Sequence, residues 1–378
     1  MTIIDSELKA RQKKTFVETN EKCPVCEEFT KYKYIKPKLY MEQDQDVDLR
    51  PKKVKWFEKN LDSYNPRLLY IQHCTKCYFA ASNAFFKEPL KDYDMSMIRF
   101  KKKINNFKSD NPKSEEVIKE LIQNINPIFE EINFFESLKL HLLAIYNFQM
   151  VDDIAKREAF ELGRYSLRLA WLYRDIYENE EKKNSYASNL EELLKNLKKH
   201  WADIPDNEDL AIKMALNYYQ TTYESSRMIK SLYEEVLMLM LLTRLNVRLE
   251  NMTEASRTIM IAKDKVREYD NKAKAEQKKM SSQPDSEAYK KASEVVGEAR
   301  KMNRIIDEVN NIFMDHREQW IKKQIALAKK IIEENKGTST AEIKEILLKQ
   351  GIDQTNIDRV IEVRPKKRRR GFFSFFRY

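Results

Sequence analysis

The chain has 378 residues, of which 42% are apolar and 34% charged, with a formal net charge of +10. Only 5 glycines and 10 prolines punctuate it, which disfavours a turn-rich β fold and favours helices built from Lys, Glu, Leu and Ile. The charge is uneven: residues 364–378 carry seven cations and no acid, leaving 63 basic and 60 acidic residues elsewhere, so the high isoelectric point does not mark the whole chain as a nucleic-acid binder.

The first sixteen residues are charged throughout and lack the apolar centre of a secretion signal. The longest apolar run, Val236 to Leu242, is far short of the roughly 20 residues that a spanning helix needs. These features predict a cytoplasmic protein, peripheral at the inner face of the membrane where its tail docks.

All four cysteines fall into two C-x-x-C pairs, Cys23-Pro-Val-Cys26 and Cys74-Thr-Lys-Cys77, separated by 47 residues. A thiolate pair at this spacing grips one metal from a tight turn, and two such turns complete a tetrahedral all-sulfur site suited to structural Zn²⁺. Four protein ligands leave no position for a reactive water. Disulfides are disfavoured in a cytosolic chain, and a redox C-x-x-C would require a βαβ pattern that is missing. His73 adjoins Cys74 but is read as a neighbour, because the thiolate set is already complete. Neither Glu27 nor Tyr78, which follow the second cysteine of each pair, adopts positive φ cheaply, so distorted turns are expected there. Residues 68–72 read as a strand feeding the second pair, and acidic residues 41–48 as a loop. Residues 1–95 are thus a small zinc-ribbon-like α+β module.

From about Ser114 the apolar spacing becomes helical, giving a body over 96–280 and a fold that is mainly α. Leu239, Leu242, Thr243, Ala255, Ile259 and Ala262 follow the large–large–small, small–large–small packing pattern of a tetratricopeptide repeat. Asn246 stands where that pattern has an aromatic residue. A right-handed array of two or three such repeats offers a concave groove for a protein or peptide; the alternative is a plain helical bundle. Oligomeric state is not legible.

The order Cys-Pro-Val-Cys, Asn65-Pro66 with Leu69-Tyr70, Cys74-x-x-Cys77 with Ala80-Ala81, then Leu169-Ala170-Trp171-Leu172-Tyr173-Arg174 resembles the bacterial family known as domain of unknown function 2225. The resemblance covers about residues 18–265. It implies a Cys-pair zinc segment, with Cys23, Cys26, Cys74 and Cys77 as ligands, followed by tetratricopeptide-like helices, and it implies no activity.

Residues 285–335 read as one long helix, and 336–363 as a helical hairpin with a capping box at Ser339 and Glu342 and a stop at Gly351. The last segment, 364–378, is a disordered basic-aromatic tail in which Lys366, Lys367, Arg368, Arg369 and Arg370 adjoin Phe372, Phe373, Phe375 and Phe376. Cations and interfacial phenylalanines suit reversible docking on an anionic membrane. Nucleic-acid binding through phosphate contacts and base stacking is the rival, and a solvated tail the bland alternative. No phosphate loop, nucleophile elbow or H-E-x-x-H can be written, and the four histidines are isolated in sequence. A non-enzymatic adaptor is therefore the reading, with a nucleic-acid-associated regulator and an uncharacterised enzyme as alternatives.

Overall fold

The computed structural model describes residues 15–36, 38–58, 61, 64–87, 98, 101–102, 104, 106, 112–125, 131–150, 156–225, 229–281, 284 and 286–362. The chain is mainly α, with a small N-terminal α+β portion. The basic-aromatic tail lies outside the described residues.

Three two-stranded antiparallel hairpins come first. Strands β1 (Phe16–Lys22) and β2 (Phe29–Ile35) pair from Phe16↔Ile35 to Lys22↔Phe29, so the first cysteine pair is the hairpin tip. Strands β5 (Ile71–His73) and β6 (Ala80–Ser82) pair from Ile71↔Ser82 to His73↔Ala80, and the second cysteine pair is their tip. Between them, β3 (Tyr40–Gln45) pairs with β4 (Pro51–Trp56).

Two expectations are corrected here. The acidic stretch over 41–48 is not a loop: it supplies β3, because the partner strand is lysine-rich and Asp44 meets Lys53 at 2.8 Å across the ribbon. The strand expected over 68–72 is confined to Ile71–His73. Asn65-Pro66 starts a tight turn instead, in which Asn65 Oδ1 accepts from the Arg67 N–H at 3.1 Å and the Asn65 carbonyl from Leu68 N–H at 3.1 Å.

The helices follow as α1 (Asn83–Lys87), α2 (Pro112–Ile122), α3 (Phe134–Gln149), α4 (Lys156–Tyr177), α5 (Glu180–Lys198), α6 (Glu208–Glu224), α7 (Leu232–Arg248), α8 (Met252–Lys279), α9 (Glu287–Glu334), α10 (Thr340–Lys349) and α11 (Gln354–Glu362). Short polar side chains begin them. Asn133, Asn179, Asn207, Ser231 and Ser339 each accept a hydrogen bond from a first-turn N–H, satisfying a donor the helix itself cannot. Ser339 and Glu342 form the reciprocal capping box read from sequence. Among the described residues no helix is long and apolar enough to cross a membrane.

The residues divide into two compact units, one up to Ile306 and one from Asp307. In the first, one buried cluster runs from Phe16 through both cysteine pairs to Leu245, and further buried residues such as Leu239, Ile259 and Met302 lie outside it. The cysteine-bearing hairpins thus share their core with the helices that follow. Phe79 sits at that junction, with Phe85, Phe86 and Phe148 at 5.7–6.0 Å between ring centroids. Strand β6 is satisfied by helix side chains: Asn147 Oδ1 accepts from Ala80 N–H at 2.7 Å, and the Tyr165 hydroxyl from Ser82 N–H at 3.1 Å. Helix α4 packs most extensively on α6 rather than on its sequence neighbour α5. Gly163 makes that approach feasible, since a Cβ there would lie 2.9 Å from the Tyr219 ring.

Helices α7 and α8 also pack closely. Leu239, Leu242, Thr243, Ala255, Ile259 and Ala262 are all buried, and the Thr243 and Thr258 hydroxyls meet at 2.8 Å between the helices. Asn246 ties the α7–α8 turn together: its Nδ2 donates to the Leu242 carbonyl at 2.9 Å, and its Oδ1 accepts from Asn251 Nδ2 at 3.1 Å.

In the second unit, Ala328 and Ile331 of α9 pack with Ile343, Leu347, Ile352 and Ile357. Helix α10 ends as the glycine predicted. Gly351 takes φ +75°, its N–H bonds the Leu348 carbonyl at 2.9 Å, and the Ile352 N–H bonds the Leu347 carbonyl at 3.1 Å.

Candidate metal centre

Each cysteine pair closes the same local structure. In the first, the Cys23 N–H donates to the Glu28 carbonyl at 2.8 Å and the Glu27 N–H returns to the Cys23 carbonyl at 3.0 Å. In the second, Cys74 N–H donates to Phe79 O at 2.8 Å and Tyr78 N–H to Cys74 O at 2.9 Å. Backbone N–H groups of Val25 and Cys26 bond the Cys23 sulfur, and those of Lys76 and Cys77 bond the Cys74 sulfur. Donors aimed at sulfur stabilise a thiolate.

The expected distortion at Glu27 and Tyr78 is absent: the two residues adopt φ +63° and +62°, the left-handed conformation the turn requires, and both turns close with matching hydrogen bonds. Such a φ costs a non-glycine residue about 1–2 kcal/mol. Ion pairs help fix Glu27, whose carboxylate lies 2.9 Å from Lys22 and 3.0 Å from Lys101; hydrogen bonds from these two lysines pull its pKa down to about 2.

The two tips face each other. Cys23 Sγ lies 3.7 Å from Cys77 Sγ, and Cys26 Sγ lies 3.6 Å from Cys74 Sγ. All four sulfurs fall within 4.8 Å of one another, and Cys23, Cys74 and Cys77 are buried. A tetrahedral ion with metal–sulfur bonds near 2.3 Å separates its ligands by about 3.8 Å. The four cysteines therefore stand at metal-binding distance, and the residues present fit the ion their spacing implies. Lys76 bridges the tips to Glu28 at 2.7 Å, and Gln72 of β5 donates to the Lys33 carbonyl of β2.

The electrostatics of the sulfurs agree. Hydrogen bonds from Cys23 and Cys77 hold Cys74 far below the usual thiol range. Its neighbours move oppositely: the bond to Cys74 pushes Cys23 up to about 12, and the bond to Cys23 raises Cys77 well above the thiol range. One negative charge is accommodated and further ones are opposed, so a fully deprotonated set needs a cation among the sulfurs. His73 is not one of the converging groups; burial lowers its pKa, in keeping with a neighbour's role.

The sequence pattern of a family described as an uncharacterized protein conserved in bacteria, DUF2225, matches residues 16–282. The chain belongs to this family. No curated protein and no solved structure matches it. The match spans both cysteine pairs and helices α1 to α8, and stops before α9.

The DUF2225 region contains a second polar constellation that sequence reasoning missed. The tip of the β3–β4 hairpin sets Asp46, Asp48 and Arg50 against α4, from which Arg174 reaches on to Glu208 of α6. Fully buried Asp48 accepts from Arg174 Nη2 at 2.6 Å and from Trp171 Nε1 at 3.2 Å. Arg174 also reaches Asp46 at 3.0 Å and Glu208 at 2.8 Å. Arg50 bonds Asp46 at 2.7 Å, Asp175 at 3.2 Å and Glu178 at 2.7 Å. Arg248 holds Glu208 at 2.5 Å, and Arg67 lies 2.9 Å from Asp175. Burial disfavours the Arg174 charge, yet Asp48 and Glu208 outweigh it and raise its pKa. The Leu169–Arg174 string is thereby explained: Trp171 and Arg174 seat the hairpin, while the Tyr173 hydroxyl bonds the Pro205 carbonyl at 2.8 Å. That string was the only sequence signal for the network.

Proposed function

We propose that this DUF2225 chain is a non-enzymatic, zinc-stabilised adaptor for protein–protein interaction. The observation that carries the reading is the sulfur tetrad, whose spacing of 3.6 and 3.7 Å across two matching turns suits one tetrahedral Zn²⁺ bound by Cys23, Cys26, Cys74 and Cys77. A site filled by four thiolates supplies rigidity and no reactive water. Its place inside the core shared with the helices gives the ion a holding role: it pins two hairpins against the body. Tetratricopeptide-like packing of α7 on α8 leaves Tyr233, Leu237 and Met260 exposed, a surface for a protein or peptide partner. The tail over 364–378 would add reversible docking of a cytoplasmic protein on anionic membrane.

Native mass spectrometry tests the central claim. One zinc per chain is expected in the wild type and none in Cys26→Ser. A metal-free protein that melts at the same temperature as the zinc-loaded form would overturn the reading. Exchange of Leu237 and Met260 for Asp, both exposed, should abolish partner capture without moving the melting temperature. Cosedimentation with anionic vesicles should depend on residues 364–378; equal pelleting of full-length and truncated chains would remove the membrane arm.

A further inference from the structure

The four sulfurs are not equally sheltered. Cys23 and Cys74 are wholly buried and Cys77 is 8% exposed, whereas Cys26 is only half-buried. Water and small solutes therefore meet the tetrad at Cys26. A cation stands on the same side. Lys76 is exposed, and its charge is favoured first by Glu28, at 2.7 Å, and then by the sulfurs of Cys26 and Cys74. A partly exposed sulfur beside a cation is the kind that oxidants reach, while buried sulfurs stay inert.

Distance names the sulfur that would respond. Cys74 Sγ lies 3.6 Å from Cys26 Sγ, across the gap between the two hairpin tips. The other cross-tip pair, Cys23 and Cys77, is as close at 3.7 Å, but both of its members are buried. We propose that the tetrad is a peroxide-sensitive switch, entered at Cys26 and closed by a Cys26–Cys74 disulfide that replaces the ion as the tie between the hairpins. The switch presupposes the zinc site proposed for the tetrad.

The chemistry needs only hydrogen peroxide and the two thiolates. Cys26 sulfur attacks one peroxide oxygen, the O–O bond breaks, hydroxide leaves, and Cys26 becomes a sulfenic acid. Cys74 sulfur then attacks the Cys26 sulfur, the S–S bond forms, the S–O bond breaks, and a second hydroxide leaves. Solvent protonates both hydroxides to water. Each sulfur has lost one electron and each peroxide oxygen has gained one. Cys23 and Cys77 alone are too few ligands for a tetrahedral structural site, so the metal is released. The tie survives that loss, because Cys26 and Cys74 belong to the tips of β1–β2 and β5–β6, the same hairpins that the ion joins. In a reducing compartment such a disulfide is transient, as a switch requires.

The test treats the zinc-loaded full chain with hydrogen peroxide. A weak chromophoric chelator reads released zinc, while alkylation and tandem mass spectrometry of tryptic peptides map thiols and disulfides. Release of one zinc should accompany loss of two thiols, and the peptide of residues 23–31 should be linked to that of 68–76 through Cys26 and Cys74. A thiol reductant followed by zinc should restore the starting state. The oxidised chain should melt above reduced chain stripped of metal. Retention of zinc and all four thiols in excess peroxide overturns the proposal. So does a first disulfide between Cys23 and Cys77 or within either C-x-x-C pair, and so does an oxidised chain that melts with the stripped form. Absence of zinc from the untreated chain is a separate result, which overturns the zinc site itself and the switch with it.

Discussion

Glu27 and Tyr78 show how a metal turn is built without the glycine that would make it easy. Each follows the second cysteine of its pair, and each is held near φ +60° by the bonds that close the turn. Glycine reaches that conformation without strain, and the lysine contacts of exposed Glu27 are worth little in water. Glu27→Gly should therefore stabilise the protein by about 0.5–1 kcal/mol in urea denaturation, at unchanged metal content. Tyr78 also packs on the core, so the same exchange there loses contact area and should not stabilise. His141 supplies a second residue-level test. Burial, opposed by its bond to Ser137, lowers its pKa from 6.5 to about 3. Between these values the unfolded chain binds a proton that the folded chain refuses, so stability falls as pH falls through that window, by about 1.4 kcal/mol per pH unit. The stability of wild type relative to His141→Phe should fall as pH drops from 6.5 toward 3; a constant difference would show that His141 takes up its proton alike in the folded and the unfolded chain.

At the scale of the element, the β3–β4 hairpin is a polar ribbon that could not stay folded by itself. Its tip is secured by desolvated ion pairs to α4, centred on Asp48 and Arg174, and by a hydrogen bond from Arg244 of α7 to the Val47 carbonyl, while Arg174 passes the network on to Glu208 of α6. Removing one partner of a buried pair strands the other charge and costs about 3–5 kcal/mol. Asp48→Asn should lose most of that in equilibrium unfolding, with faster amide exchange confined to residues 40–56. Exchange that stays slow there would show that the ribbon is held by something else. The network also shows why the acidic stretch was misjudged from sequence. Acids and lysines alternate there with no apolar stripe, and nothing local announces that Asp46, Asp48 and Arg50 meet partners more than a hundred residues away, such as Arg174 and Asp175. The cap at Ser339, by contrast, depends on a residue three positions away and was read from sequence; those at Asn133 and Asn207 are as local but were not read.

Across the whole molecule, the division into two compact units, each holding a buried cluster of its own, implies two cooperative units. Calorimetry should resolve two unfolding transitions, and a chelator should lower only the one belonging to residues up to Ile306, where the sulfurs sit in the core. A chelator that moved both transitions equally, or neither, would contradict this division. The division falls inside α9, so the long helix read from sequence as one segment contributes to both units. The C-x-x-C spacing, the helical periodicity of the body, the capping signals and the family membership were all set within short windows of chain, because turn geometry and helix periodicity are local properties. The convergence of the four sulfurs, the fusion of their hairpins with the helices into one buried cluster and the ion network under the β3–β4 tip were decided only by the tertiary structure. Each of these joins residues whose separation in sequence carries no periodic signal, and whether a charge finds a partner depends on which surfaces packing brings together.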